Sequence, residues 1–396
     1  MKKICLFATA LAILSCSSND LNNDLAQDAN KTPFTFSAYS DIATKADNHT
    51  DLDFFYKTFN VYGWKSLDNR ATWESTPVFN NVTNEYFKLD GYGTTIYLEN
   101  VANPKKPSDE WGTLQGTNPF PGWYYEEIRY WDKYAEYQFS AYTPISASSE
   151  VKCENDGQIL IGTSASPITV DTKNLVATPK TALVYAGFDK DYMTATSTAK
   201  ASAVNLVFKH ELAKFNIKLV LNSSVSTSQA VIVKEVSIKH INGTSYYDSE
   251  NESATGYLTG WKTPTTPIAY NVKGVNGAET GYKMNGETAG TDNFNGYFVM
   301  ERLMIPQTVE KNTAKNDQLD DMTQACVYVE YSIGDQVYKG HYALANLFLG
   351  TSTETSYNFL GGNEYTLTIN VGPLPIYFTT EVSTWVNHDA TDLEAN

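Results

Sequence analysis

The sequence predicts an all-β protein built as two β-sandwich domains in tandem. Three observations carry this reading. Apolar and polar residues alternate at period two in segment after segment, which marks strands with one dry and one wet face. The chain holds 27 Tyr, 18 Phe and 7 Trp, and aromatic side chains fit the pleated, half-buried surface of a sheet. No long helical pattern interrupts the strands, so helices are expected only as short turns. A length of 396 residues exceeds one ordinary domain and suits two.

The elements follow in chain order. Lys2 and Lys3 precede the apolar run "ICLFATALAIL", which is too short to span a bilayer as a helix. The run ends at Leu14-Ser15-Cys16, which resembles the lipobox of bacterial lipoproteins, where the cysteine is lipidated and becomes the new N-terminus. Residues 1–16 are read as that signal peptide, with an ordinary signal peptide cut at a neighbouring bond as the alternative. No later segment is apolar enough to span a membrane, so any membrane attachment is by lipid. Residues 17–45 form a polar, acidic tether and then a first strand. In that strand, "PFTFSAYS", Phe34, Phe36 and Ala38 share one face. "IATKADN" at 42–48 follows, small and unpatterned, with a single basic residue, Lys45, before Ala46.

Residues 46–193 are expected to form the N-terminal sandwich, with "FYKTFNVYGW" and "YQFSAY" among its strands. The segment "TATSTAKASA" at 194–203 has no aromatic residue and is rich in Thr, Ser and Ala, so it is read as the boundary. Residues 204–389 form the second sandwich. There "KFNIKLVL" places Phe215, Ile217, Leu219 and Leu221 inward and Lys214, Asn216 and Lys218 outward. "VYVEYSIGDQVYKGHY" reads as a hairpin turning at Gly334-Asp335. "YTLTINV" stacks Tyr365, Leu367, Ile369 and Val371. The last strand, "PIYFTTEVSTWVN", places Ile376, Phe378, Thr380, Val382 and Val386 on one face.

Composition narrows the functions. The net charge is −16, so nucleic acid and anionic membrane surfaces are poor partners, since both need a basic patch. Cys153 and Cys326 remain after the signal and the lipid candidate are set aside; a pair between them is open in an exported protein, though nothing in the sequence brings them together, and Cys326 in a strand-like run reads as a buried thiol. The five histidines are scattered without zinc-site spacing. There is no P-loop and no G-x-S-x-G, and the acidic stretches match no calcium loop. The chain is therefore expected to be no enzyme and to hold no metal and no cofactor. The aromatic-rich "PFPGWYYEEIRYWDKYAEY" reads as core, with a sugar-stacking platform as the alternative.

Several segments together resemble the fimbrillin family of lipoprotein pilins. "EIRYWDKYAEYQFSAYTP" is similar to its Trp, spacer and Phe-x-Ala-Tyr-x-Pro pattern, at Trp131, Phe139, Ala141, Tyr142 and Pro144. "VNLVFKHELAKFNIKL" resembles its Phe-x-His-x-Leu-Ala-Lys element, at Phe208, His210, Leu212, Ala213 and Lys214. "RLMIPQ", "LGGNEYTLTINV" and "YFTTEVSTW" resemble its later elements.

The resemblance implies two transthyretin-like sandwiches, export as a lipoprotein to the outer membrane surface, and incorporation into a fimbrium. A trypsin-like protease removes the tether with the first strand, and a strand from another fimbrial subunit fills the groove. Thr44-Lys45-Ala46 resembles the processing site, with Lys where Arg is usual. Residues 376–386 are the candidate donor; a tip adhesin without a donor and an uncut anchor are the other positions in the fibre. A surface glycan-binding lipoprotein is the alternative function, so a host or bacterial surface glycan or protein joins the expected partners. Replacing Cys16 with Ala is expected to abolish acyl labelling of the cell-surface protein; unchanged labelling would remove the lipoprotein reading.

Overall fold

A computed structural model of the chain describes residues 34, 36–40, 58–66, 74–86, 123–124, 130–132, 134–143, 145–154, 157–170, 192–199, 204–225, 229–273, 282–284, 295–296, 298–312, 324–373 and 376–384. The early strands are β1 (Phe36–Ser40), β2 (Thr58–Ser66), β3 (Phe79–Tyr86), β4 (Trp123–Tyr124) and β5 (Glu136–Thr143). Next come β6 (Val151–Cys153), β7 (Ile159–Ile161), β8 (Ile168–Thr169), β9 (Met193–Ala199), β10 (Val204–His210) and β11 (Ala213–Leu221). The long β12 (Val231–Ser245) precedes β13 (Tyr247–Asp248), β14 (Tyr257–Leu258), β15 (Trp261–Lys262), β16 (Thr265–Lys273) and β17 (Tyr282–Lys283). The series closes with β18 (Phe298–Met304), β19 (Gln307–Glu310), β20 (Cys326–Ile333), β21 (Gln336–Ala343), β22 (Ser356–Phe359), β23 (Asn363–Val371) and β24 (Tyr377–Thr384). One short helix, α1 (Leu344–Leu349), is the α-helix among the described residues, as the missing helical periodicity implies.

The first core is wrapped by one seven-stranded sheet in the order β1-β10-β9-β5-β2-β3-β4. Its inward residues are those the alternation marks: Phe59 and Val61, Tyr137, Phe139 and Ala141, and Leu206 and Phe208 are all buried. Gly63 on β2 makes room for two rings at once. A Cβ there would meet Phe139 at 2.9 Å and Phe79 at 3.0 Å, so a side chain would push both rings out of the core. β4, at one end of the sheet, comes back against β1 at the other, and the sheet curls towards closure.

The second core lies between a four-stranded sheet, β18-β11-β23-β24, and a larger one, β16-β12-β20-β21, with β8 and β17 also paired to β12. Phe215, Ile217 and Leu219 meet Val233, Val236, Val327 and Val329 in one buried cluster. Tyr365, Leu367, Ile369 and Val371 join it, as the reading of "YTLTINV" expects. The β20–β21 hairpin turns at Gly334 and Asp335, where Ile333 pairs with Gln336. Cys153 and Cys326 are both free thiols, and burial pushes the Cys153 thiol up to about 12. Among the described residues no helix is long and apolar enough to cross a membrane.

Two expectations are corrected. Of the expected boundary segment, residues 194–199 lie in strand β9 (Met193–Ala199), paired to β5 along its length, and residues 200–203 lie outside the described residues. The side chains of β9 are small where they share a face with the rings of β5: Ser197 sits opposite Phe139 and Ala199 opposite Tyr137. The chain leaves the first sheet later, after His210, so Val204–His210 belongs to that sheet and not to the second core. Conversely Ile159, Ile161 and Ile168 pack into the second core, so the two halves interleave. The second correction concerns Lys214 and Asn216, expected outward but buried. β11 runs in the middle of its sheet with Lys214 opposite Glu364 of β23. The Lys214 ammonium lies 3.5 Å from the Glu364 carboxylate, and Asn216 donates to the same carboxylate. Paired in this way, the polar groups tolerate burial.

Glu211 stands where the chain passes between the cores. It is buried, accepts a hydrogen bond from the Thr194 hydroxyl of β9, and lies beside Tyr247 of β13. Its backbone carbonyl accepts the indole N–H of Trp261 at 2.7 Å. Burial holds its carboxyl at about 7; the Thr194 and Tyr247 hydrogen bonds and Lys209 oppose the rise, and Glu252 adds to it. The folded state thus keeps a proton that the unfolded chain has lost. That contribution is full below the ordinary carboxylate range and disappears as pH rises towards and through 7. Glu211→Gln is expected to gain thermal stability relative to the parent as pH increases from 5 to 8. A pH-independent difference between the two melting curves would overturn this account of the junction.

Candidate functional site

The residues singled out at the two ends of the chain become edge strands of two different sheets. β1 lies at the edge of the first sheet and pairs in parallel with β10, Phe36 opposite Val204 and Ala38 opposite Leu206. A parallel pair cannot be made by a tight turn, so β1 reaches this place from a distant part of the chain. Beyond the ladder it is held by two rings. Phe34 is 2% exposed and Phe36 is 6% exposed. The Phe34 ring lies 3.9 Å from that of Trp131, centroid to centroid, 4.9 Å from Tyr137, 5.0 Å from Phe79 and 5.8 Å from Phe139. Phe36 touches the edges of Phe79 at 5.7 Å and Phe139 at 5.9 Å. All of these contacts but the tilted Phe34–Trp131 pair are edge-to-face, a geometry that suits aromatic quadrupoles.

Without β1 this would be a groove. Its floor would be Phe79, Trp131, Tyr137 and Phe139, and one wall would be the freed edge of β10 with its unpaired N–H and C=O groups. Phe79 was not singled out by the sequence. Its ring reaches the site through β3, and no local pattern ties β3 to β1. Trp131 and Phe139 belong to the motif that resembles the family's, and their shared contact with Phe34 gives them a physical role. Of the aromatic-rich segment before β5, Trp131 and Tyr137 are core, while Tyr130 and Tyr134 are exposed.

β24 is the opposite case. It is the edge of its sheet and pairs antiparallel with β23, from Asn363–Thr384 to Asn370–Tyr377. Ile376 is buried just before it, and Phe378 is half-buried with its ring 4.5 Å from Tyr342. Thr380 is exposed, and Val382 is 47% exposed. Four of the five candidate donor residues are thus described, and only the first two are held by packing. Cys16, Lys45, Ala46 and Val386 lie outside the described residues. Among the described residues no three His, Cys, Asp or Glu side chains are grouped to hold a metal ion. His210 is buried at the end of β10, and His341 lies against the Tyr328 ring at 4.7 Å.

The difference in burial sets a difference in expected cost. Phe34→Ala is expected to lose about 3–5 kcal/mol of stability, the usual cost of a buried ring removed from a packed core. Val382→Asp, on an exposed face, is expected to stay within about 0.5 kcal/mol. Denaturant midpoints of the two full-length variants measure both; equal losses would contradict the assignment.

Comparison with known proteins gives two kinds of likeness. A family model described as fimbrillin-like matches residues 61–385. Among solved structures, a fimbrial protein from Bacteroides vulgatus is similar with a TM-score of 0.49 and 13% identity, over 90% of this chain and 100% of that one. A protein from Bacteroides uniformis assigned to cell adhesion has a TM-score of 0.43 and 14% identity, over 90% of this chain and 98% of that one. The tip fimbrial protein from Porphyromonas gingivalis, with a C-terminal truncation, has a TM-score of 0.40 and 11% identity, over 90% and 100%. No curated protein sequence matches the chain.

Proposed function

The chain belongs to the fimbrillin-like family, and on that premise we propose that it is a structural subunit of a surface fimbrium that assembles by strand exchange and serves adhesion. Its route is export as an outer-membrane lipoprotein through Cys16, cleavage after Lys45 by a trypsin-like protease, loss of β1, and insertion of a strand from another subunit. The paired domains are read as transthyretin-like sandwiches. The role is mechanical and adhesive rather than catalytic.

The observation that carries this reading is the way β1 is held. It is an edge strand, remote in sequence from its neighbour, with two phenylalanines seated among four other rings. Burying two such side chains contributes roughly 3–6 kcal/mol. That is enough to keep β1 in place while it is covalently attached, and enough to make the vacated groove bind a replacement avidly. A bond cut between β1 and the rest of the chain removes the advantage of attachment, which acts as a high effective concentration. An incoming extended segment can then restore both the ladder and the packing.

Trypsin treatment of the full chain is expected to produce a ladder of oligomers, while Lys45→Gln under the same treatment stays monomeric. If the cut parent neither polymerises nor takes up an added strand peptide, the strand-exchange reading falls.

A further inference from the structure

The larger sheet of the second core has two unlike edges. β16 carries Pro267, holds Thr266 at a φ of 63°, and shifts register against β12 between Ile238 and Ile241. Proline and irregularities of this kind keep a further strand from pairing. β21 has neither. Its eight residues, Gln336–Ala343, pair with β20 in one unbroken register, and among the described residues no strand pairs with its other side. Gly334 and Asp335 form a two-residue turn, so Ile333 and Gln336 close it as a hydrogen-bonded pair. The pattern then alternates along the ladder. Gln336, Tyr338, Gly340 and Tyr342 bond to β20, while the backbone N–H and C=O groups of Val337, Lys339 and His341 point away from it.

The side chains of the same three residues share the outer face of the sheet. Val337 is 53% exposed, Lys339 is exposed and His341 is half-buried. That face is rich in cations for a chain of net charge −16. The Lys239 ammonium lies 4.0 Å from the centre of the Tyr328 ring, and the His341 ring lies 4.7 Å from the same ring. Glu330, opposite Lys339, already holds the Lys234 ammonium at 3.9 Å and the Tyr328 hydroxyl at 2.8 Å. β21 itself contains no acidic residue. Its other face carries two half-buried rings, one on each side of Gly340: Tyr338 stacks on Tyr331 at 5.2 Å, and Tyr342 meets Phe378 at 4.5 Å.

We propose that β21 is a docking edge for an extended acidic segment of a partner protein, added to the sheet as a further strand in which carboxylates alternate with apolar side chains. The backbone of the added strand pairs with the outward groups of Val337, Lys339 and His341. Its carboxylates stand opposite Lys339 and His341 on the cationic face, and opposite charges across a ladder stabilise the pair. Its apolar side chains fall on the other face, beside the Tyr338 and Tyr342 rings. Gly340 places no side chain between those rings, and glycine in a strand suits a site where another backbone comes close. Lys339 also decides against two other occupants. A strand bearing lysine meets a like charge there, and β21 of a second copy, centred on this one, sets Lys339 opposite Lys339. The surface serves the adhesive role and is independent of β1: it needs no cut and no vacated groove.

The uncut full chain is offered a labelled eight-residue peptide of alternating Glu and Val, capped at both ends, and binding is followed by fluorescence anisotropy. The peptide is expected to bind and to slow amide hydrogen exchange within Gln336–Ala343. Its counterpart with Lys for Glu, and its fully N-methylated form, which has no backbone donors, are expected not to bind. Val337→Pro removes one outward N–H at an edge position where proline is tolerated, and is expected to abolish binding while the circular dichroism spectrum stays that of the parent. Lys339→Glu is expected to weaken binding of the acidic peptide about tenfold and to admit the Lys peptide. Binding of the N-methylated form as tightly as the parent peptide overturns the edge, whether or not Val337→Pro folds, and so does binding undiminished in a folded Val337→Pro variant. Equal binding of the Glu and Lys peptides overturns the acidic partner. Dimerisation of the chain alone that Val337→Pro abolishes makes a second copy the occupant and overturns it too. No binding of the acidic peptide removes the proposal and leaves strand exchange at β1 standing.

Discussion

The contact on which the first core depends is that of the Phe34 ring with Trp131, Tyr137, Phe79 and Phe139. Those four side chains come from β3, from β5 and from the segment before it, and they converge on a residue outside all of those elements. A sheet that curls upon itself must fill its own interior, and here part of the filling is brought by a strand added at the edge. The large aromatic load of the chain follows from this. Rings of that size can meet edge-to-face across a curled sheet with few strands, and Gly63 clears the space beneath two of them. The same arrangement makes the core divisible. Every other strand of this sheet has its partner along the later chain, while β1 has β10 alone.

β10 therefore has two duties. Along one edge it receives β1, and at its C-terminal end it leads through Glu211 into the second core. Glu211 ties the end of β10 to β9 through Thr194, and to the small β13–β15 sheet through Tyr247 and the Trp261 indole. A buried polar group that is fully partnered fixes one geometry, because any displacement leaves its partners unsatisfied. Burial of the carboxyl is unfavourable when it is ionised, and hydrogen bonds to a protonated or an ionised group both hold the junction in one arrangement. The strand that pairs with β1 is thus anchored at its end by the core that carries β24.

Much of this was legible in the sequence, and the remainder was not, for identifiable reasons. Period-two alternation located the strands and their dry faces: Phe139 and Ala141, Ile217 and Leu219, Leu367 and Ile369 are buried as read. Alternation says which face is dry, not which strand is next door. The parallel β1–β10 pairing and the approach of Phe79 to Phe34 were beyond its reach. The turn-like composition of residues 194–199 resembles a linker, yet they form β9. Thr, Ser and Ala also suit a strand whose neighbour β5 supplies the bulk, as Ser197 opposite Phe139 and Ala199 opposite Tyr137 show. Lys214 was placed outward by its charge, and only its register with Glu364 explains why it lies within. The end strands were found by pattern alone, because their apolar residues are concentrated in the first few positions.

The two end strands differ in what their departure would cost. Removing β1 uncovers four aromatic rings and a full strand edge, so an empty groove is a high-energy state that recruits a replacement. Removing β24 uncovers a strand edge too, but apart from Ile376 and part of Phe378 its side chains already face solvent. The chain therefore combines a deep site with a shallowly seated strand. In the proposed strand exchange an incoming strand regains what the vacated site exposes, provided that the site's own occupant is no longer attached. In the proposed mechanism a single cut peptide bond reverses the preference, because it changes the effective concentration of β1 without altering any contact that β1 makes.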